Sequence, residues 1–195
     1  MEERFIDLFR SINRDNTTKL LVELKRLGFF EAPASANFHL NKTGGLLEHS
    51  LAVYDCAMQL KETLKRCDEE WDGLETLKDD SILVSALLHD VCKAGIYVPT
   101  TKRQRQPDGT WIDVEGYAVD YSEFPMGHGE KSMAIVLRCG YPLSNEEMLA
   151  IRWHMYAFGV NFNNYEELNN FNTANKIPLV KLIQLADQMA TVLNK

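Results

Sequence analysis

Residues 85–95 read SALLHDVCKAG, and this stretch decides how the rest of the chain is read. Residues 81–88 form an apolar helical run that ends in His89 and Asp90, with Lys93 three residues further on. A buried carboxylate or ammonium is costly unless it is paired or ligates a metal. The run carries charged groups toward a core, so other segments must supply the compensation.

Helical faces show where that compensation lies. Residues three and four apart share a face, so a polar residue flanked by apolar ones at those spacings points inward. His49 has Leu46 behind it and Ala52 and Val53 ahead. His89 follows Ser85 and Ala86 and precedes Cys92, and Asp90 follows Ala86 and Leu87. His154 lies between Ala150-Ile151 and Ala157-Phe158, and Asp187 between Ile183 and Ala190. His128 opens a further helix, in FPMGHGEKS. A lone inward histidine is ordinarily hydrogen-bonded to a neighbour, and a lone inward aspartate caps or pairs. That account weakens when it must hold for three histidines and two aspartates at once. Imidazole with carboxylate is the ligand chemistry of Zn, Fe, Mn, Co or Ni, and helical bundles build such sites between helices.

The remaining chain reads mostly as helix. Helices are expected over 2–12, from the Asn16-Thr17-Thr18 caps to Gly28, over 46–66, 80–92, 129–139 and 145–158, and from Pro178 to about 192. Ser144-Asn145-Glu146-Glu147 reads as a capping box. Residues 31–45 are loop-like, 67–79 a polar link, and the Asn-rich 161–176 holds one short turn. Two β-tolerant runs, TKRQRQ and TWIDVEGYAV, flank Pro107-Asp108-Gly109, where proline presets a turn and Gly109 tolerates positive φ. The expected fold class is all-α, a helical bundle with a β-hairpin inserted near residues 97–120. No repeat and no interdomain linker is visible, so residues 1–195 read as a single domain.

Composition narrows the function classes. With 21 Lys+Arg against 28 Asp+Glu and a net charge of −7, a general nucleic-acid coat is disfavoured, because non-specific binding relies on basic surface. A nucleotide or short single strand at a local basic site remains open. The N-terminus MEERFIDLFR has acids where a signal peptide carries its basic region, and no window is a membrane span. The chain is read as soluble and cytoplasmic, without membrane partners. Cys56, Cys67, Cys92 and Cys139 form no CxxC pair and read as reduced thiols.

The order His49, His89-Asp90, His128, His154, Asp187 resembles the HD-domain superfamily of metal-dependent phosphohydrolases. The local wording is similar too: GGLLEHSL, LLHDVCKAG, GHGEKS, IRWHM and LIQLADQMA. The likeness is to the HD domains of bacterial 3′→5′ exoribonuclease-type proteins and to stand-alone bacterial and phage HD hydrolases. It runs from about residue 38 to the end, leaving 1–37 as a helical extension ahead of the HD core.

The resemblance implies one or two divalent metal ions (Mn, Fe, Ni, Co or Zn, with Mg possible). His49, His89, Asp90 and Asp187 would hold the first, and Asp90 would bridge to a second completed by His128 and His154. Asp90 and Lys93 are the catalytic candidates, Lys93 by reaching a phosphoryl oxygen or protonating the leaving group. The alternative for Lys93 is a solvated lysine near a helix end. Many relatives carry Gly where Cys92 stands, which bears on how Lys93 is placed.

Around this set, Lys102, Arg103 and Arg105 make the hairpin either a phosphate-gripping flap or a solvated surface. Trp111, Tyr117 and Tyr121 would stack a base or pack across strands. His39 lines the site or lies on the surface. Arg152 contacts substrate or pairs with Glu146 or Glu147. Glu48 and Glu130 are candidates to orient an imidazole. The expected activity is hydrolysis of a phosphomonoester or phosphodiester in a nucleotide or short oligonucleotide. The rivals are an HD-type di-iron oxygenase and a non-catalytic nucleotide-sensing module.

Overall fold

The computed structural model of the chain describes residues 1–158 and 160–193. Its architecture is helical with one hairpin. In chain order come α1 (Glu2–Ser11), α2 (Thr17–Arg26), α3 (Gly45–Cys67), α4 (Gly73–Thr76) and α5 (Asp79–Leu88). A 3₁₀ turn (Val91–Lys93) follows, then β1 (Tyr97–Arg105) and β2 (Trp111–Val119). The chain closes with α6 (His128–Arg138), α7 (Asn145–Trp153), α8 (Tyr165–Ala174) and α9 (Pro178–Leu193). Among the described residues, no helix is long and apolar enough to cross a membrane.

The central element is α5, where every residue from Ile82 to Leu88 is buried. A helix that is apolar all round must be covered all round, and two clusters do this. Leu83, Val84, Leu87 and Leu88 join a cluster with Phe5, Phe9, Leu20, Leu24, Phe29 and Tyr141. Ile82 and Ala86 face the other way, into a cluster with Val53, Ala57, Trp153, Phe171, Ile183 and Ala190. The α3 helix packs on α5 and α9, and α7 packs on α5, α6 and α9. The C-terminal end of α5 is thereby held between helices on several sides, and His89 and Asp90 stand there.

The α1 and α2 segments contribute core. Phe5 stacks obliquely on Phe9 at 5.1 Å and on Phe29 at 5.2 Å, and Phe9 meets Tyr141 edge-on at 6.0 Å. Arg14, just after α1, donates two hydrogen bonds of 2.7 and 2.6 Å to the carboxylate of Glu147. Ser144 and Glu147 form the expected capping box of α7.

Several boundaries depart from the pattern read in sequence. Regular α-helix stops at Leu88, where one continuous helix through residue 92 is expected, and the chain tightens into the 3₁₀ turn. The α7 helix stops at Trp153, short of 158. The Asn-rich stretch forms the ten-residue α8, started by the Asn164 side chain accepting from the Glu167 N–H at 3.2 Å. Its weak apolar pattern is offset by packing of Phe171 against Trp153 at 5.5 Å. The hairpin matches expectation, pairing Tyr97 with Val119 through to Arg105 with Trp111. Gly109 sits at φ +88°, and Asp108 accepts from the Thr110 N–H at 2.9 Å to close the turn.

Candidate metal centre

Four histidines and two aspartates from α3, the end of α5, α6, the end of α7 and α9 converge on one buried spot. The cause is local in each case. His89 and His154 each follow the last turn of a helix with dihedrals still helical, so both stay on the inward face. His128 arrives through a close approach of helix ends. A Cβ at Gly129 would lie 2.4 Å from the Arg152 carbonyl oxygen, so only glycine lets the start of α6 rest against the end of α7. The His128 and His154 rings are then 5.3 Å apart.

Asp90 is the hub and is 2% exposed. Its Oδ1 lies 2.6 Å from His128 Nε2 and 3.4 Å from His154 Nε2. Its Oδ2 lies 2.6 Å from Lys93 Nζ, 3.2 Å from His89 Nε2 and 3.7 Å from His49 Nε2. Asp187 Oδ1 sits 3.0 Å from His49 Nε2 and 4.0 Å from His89 Nε2. The inward position of Lys93 follows from the 3₁₀ turn, in which residues three apart eclipse one another. The Lys93 N–H donates to the Asp90 carbonyl at 2.9 Å, and the side chain lies over the carboxylate.

The donor set suits a cation. His89 Nδ1 donates to the Ala86 carbonyl and His154 Nδ1 to the Ile151 carbonyl, each at 2.7 Å. A carbonyl can only accept, so in its neutral form each ring would present an Nε2 lone pair inward, the tautomer a metal ligand needs. The His154 Nε2 is buried without a hydrogen-bond partner. The Nε2 atoms of His49 and His89 face each other at 3.3 Å, a contact that requires a proton or a cation between them. Ligand atoms fall into three overlapping groups within 4.8 Å: His49-His89-Asp187, His89-Asp90-His154 and Asp90-Cys92-His128.

Electrostatics agree. Burial would raise the Asp90 carboxyl, but Lys93, His89 and the His128 hydrogen bond hold it well below the usual carboxylate range. Burial likewise opposes ionisation of Asp187, yet the His49 hydrogen bond and neighbouring imidazoles bring it down to about 2. Burial depresses His154 and His39, keeping them neutral. His128 goes the other way: burial opposes its charge, but Asp90 and Cys92 lift it to about 10.

The HD domain matches this chain over residues 46–191. The chain belongs to the HD-domain family. HD domains bind divalent metals, and the converging His and Asp groups could hold one here. Dihydroneopterin 2′,3′-cyclic phosphate phosphodiesterase of Methanocaldococcus jannaschii is 30% identical over 132 residues, covering 61% of this chain and 49% of that protein. The chain thus spans about half the length of this curated relative. No solved structure matches the chain. The HD match begins after α2, so the phenylalanines that cover α5 from α1 lie outside it.

The other sequence candidates are placed as follows. His39 joins the HD centre's edge, its ring 5.1 Å from that of His49 and its Nε2 buried without a partner. Arg152 pairs with Glu130 at 2.5 Å and stacks on Trp153 at 3.9 Å, whereas Glu147 belongs to Arg14. Glu48 pairs with Lys42 at 2.7 Å, so neither Glu48 nor Glu130 is spent on an imidazole. Lys102 Nζ donates to the Ala36 carbonyl and the Asn37 side chain, tying the hairpin to the loop that carries His39. Arg103 and Arg105 lie six and eight residues up β1 from Tyr97, roughly 20 and 27 Å along an extended strand. Arg103 lies against Asp113 and the exposed Trp111 ring there. Tyr117 faces Tyr97 at 6.3 Å, and Tyr121 is exposed.

Two residues near the centre escaped the sequence reading. Cys92, which the sequence marks as a reduced thiol and as a position bearing on Lys93 but not as part of the centre, puts Sγ 3.1 Å from His128 Nδ1. Its position two residues past the doublet was the available signal. Tyr97, at the root of the hairpin, has its hydroxyl pushed up to about 12, chiefly by burial. Nothing in its local sequence marks it.

Proposed function

We propose that this HD-domain protein is a metal-dependent phosphohydrolase acting on a phosphomonoester or phosphodiester of a nucleotide or short oligonucleotide. The observation that carries the reading is Asp90, a buried carboxylate shared between imidazoles on both of its oxygens and touched by an ammonium. In this reading His49, His89, Asp90 and Asp187 hold one divalent ion, and Asp90, His128 and His154 hold a second. A divalent ion at such a site lowers the pKa of water toward neutrality and neutralises phosphate charge in the transition state.

The chain's own residues do the rest. The backbone carbonyls of Ala86 and Ile151 fix the tautomers of His89 and His154, so their Nε2 atoms need no reorganisation. Lys93, its ammonium 2.6 Å from the hub, would take a non-bridging phosphoryl oxygen by a charge-assisted hydrogen bond. His39, beside His49 with a free buried Nε2, would meet the substrate from the loop side. A cyclic phosphodiester substrate class is supported by the name of the Methanocaldococcus relative.

A hydrolysis panel of nucleotides, 2′,3′-cyclic phosphates, cyclic dinucleotides and short RNA and DNA, each with Mn, Mg, Ni, Co and Fe, tests the reading. Metal-dependent phosphate-ester cleavage is the expected result. Oxygen consumption with an organic substrate and no phosphate-ester cleavage would replace it with the oxygenase reading.

A further inference from the structure

A second polar recess lies apart from the Asp90 centre. It is a cavity of about 500 Å³ bounded by α2, the segment Ala94–Ile96, the bend before α6 and α6 itself. None of the six proposed metal ligands lines it, and neither does Lys93. Its floor holds Lys131, which is only 8% exposed. Among the described residues, Lys131 has no carboxylate at ion-pair distance; its Nζ lies 5.6 Å from the Phe124 ring, another wall of the recess. Arg138 approaches the same ring at 5.7 Å and is also without a carboxylate among the described residues.

The acids lining the recess make no ion pair with Lys131 or Arg138 among the described residues. Glu23 is engaged by Arg26 at 2.7 Å, Asp120 accepts from the Ser122 N–H at 2.8 Å, and Glu123 is exposed. Lys131 thus buries its stem and offers the recess an ammonium that no carboxylate among the described residues engages, a charged donor for an incoming anion. The volume lies within the roughly 300–1,000 Å³ of small-molecule sites, which combine apolar walls with a few placed polar groups.

We propose that this recess binds a small organic anion, its phosphate or carboxylate head between Lys131 and Arg138 and its flat apolar body against Phe124 and Ile96. The site goes beyond the hydrolytic reading and does not depend on it.

Calorimetric titration of the full chain with phenylphosphonate and, separately, benzoate tests the assignment in wild type, Lys131→Met, Arg138→Ala and Asp90→Ala. One equivalent should bind with affinity kept in Asp90→Ala and weakened roughly tenfold or more in Lys131→Met, the order of one charge-assisted hydrogen bond. Arg138→Ala, at an exposed position, should weaken binding as well and carries the test alone if Lys131→Met does not fold. Tighter binding of phenylphosphonate assigns a phosphate-bearing ligand, and tighter binding of benzoate a carboxylate. Absence of binding, equal affinity in the variants, or binding lost in Asp90→Ala overturns the proposal.

Discussion

Two buried charged groupings cross the helices of this protein, and they are built on opposite principles. Arg14 and Glu147 form a closed pair: two parallel hydrogen bonds, with Glu147 Oε2 also accepting from the Ser144 N–H at 2.9 Å. Around Asp90 the grouping stays open. Four imidazoles and an ammonium compete for one carboxylate, and the Nε2 of His154 has no hydrogen bond at all. A satisfied pair fixes a packing geometry. An oversubscribed, partly unsatisfied cluster is what a site looks like when its remaining partner is a ligand.

The largest expected effect separates the two by function. Asp90→Ala should abolish hydrolysis by roughly 10³-fold or more, the scale of several kcal/mol of transition-state stabilisation. Metal content by elemental analysis should fall with it while the helical circular-dichroism signal stays. Full activity in a variant without metal would break the comparison.

Glu147→Ala should do the reverse. It strands Arg14 in a mostly buried position, so chemical denaturation should show a loss of about 3–5 kcal/mol, with metal content per folded molecule unchanged. The pair also carries a pH signature. Burial would raise the Glu147 carboxyl, but the Arg14 hydrogen bonds and the Ser144 N–H hold it below its ordinary 4.5. Its stabilisation is therefore complete above about pH 4.5 and is lost as pH falls through the depressed folded value. The stability gap between wild type and an Arg14→Met/Glu147→Leu variant should be constant from neutrality down to that point and shift only below it.

Lys93→Met sharpens the division inside the open cluster. It should leave metal bound and lower kcat/KM roughly 10- to 100-fold, the range of one hydrogen bond to a charged group. The smallest effect belongs to the outer hairpin. Arg103→Ala with Arg105→Ala should change stability by no more than about 0.5 kcal/mol, as for ordinary surface sites, and should leave KM for a nucleotide within experimental scatter. A several-fold rise in KM would return the hairpin tip to the substrate path.

The open cluster was far more legible in sequence than the closed pair, for a physical reason. Each proposed ligand is an ionisable residue on an apolar helical face, and a residue so placed announces itself over three or four positions. Arg14 precedes a cap in a polar stretch, and its partner lies 133 residues away. The first segment is similar. Phe5 and Phe9 read only as loosely helical spacing, but they cover α5 beside the doublet. The α8 stretch reads as one short turn because Asn-rich sequence has weak intrinsic propensity, and the contact of Phe171 with Trp153 overrides it.

SALLHDVCKAG shows where the division falls. Its apolar run by itself determined a helix buried on all sides, ending in a doublet that needs compensation, and the spacing of the other histidines and Asp187 determined which residue types could supply it. Tertiary structure alone decided the direction of Lys93, because the change from α-helix to a 3₁₀ turn at Val91–Lys93 eclipses it over Asp90. It also decided that Lys102 braces a loop, that Cys92 meets His128, and that Lys131 lines a recess with no carboxylate at ion-pair distance among the described residues. Periodicity reports which face of a helix is buried. Which groups meet across that face depends on how helix ends terminate and cross, and local sequence does not encode those long-range contacts.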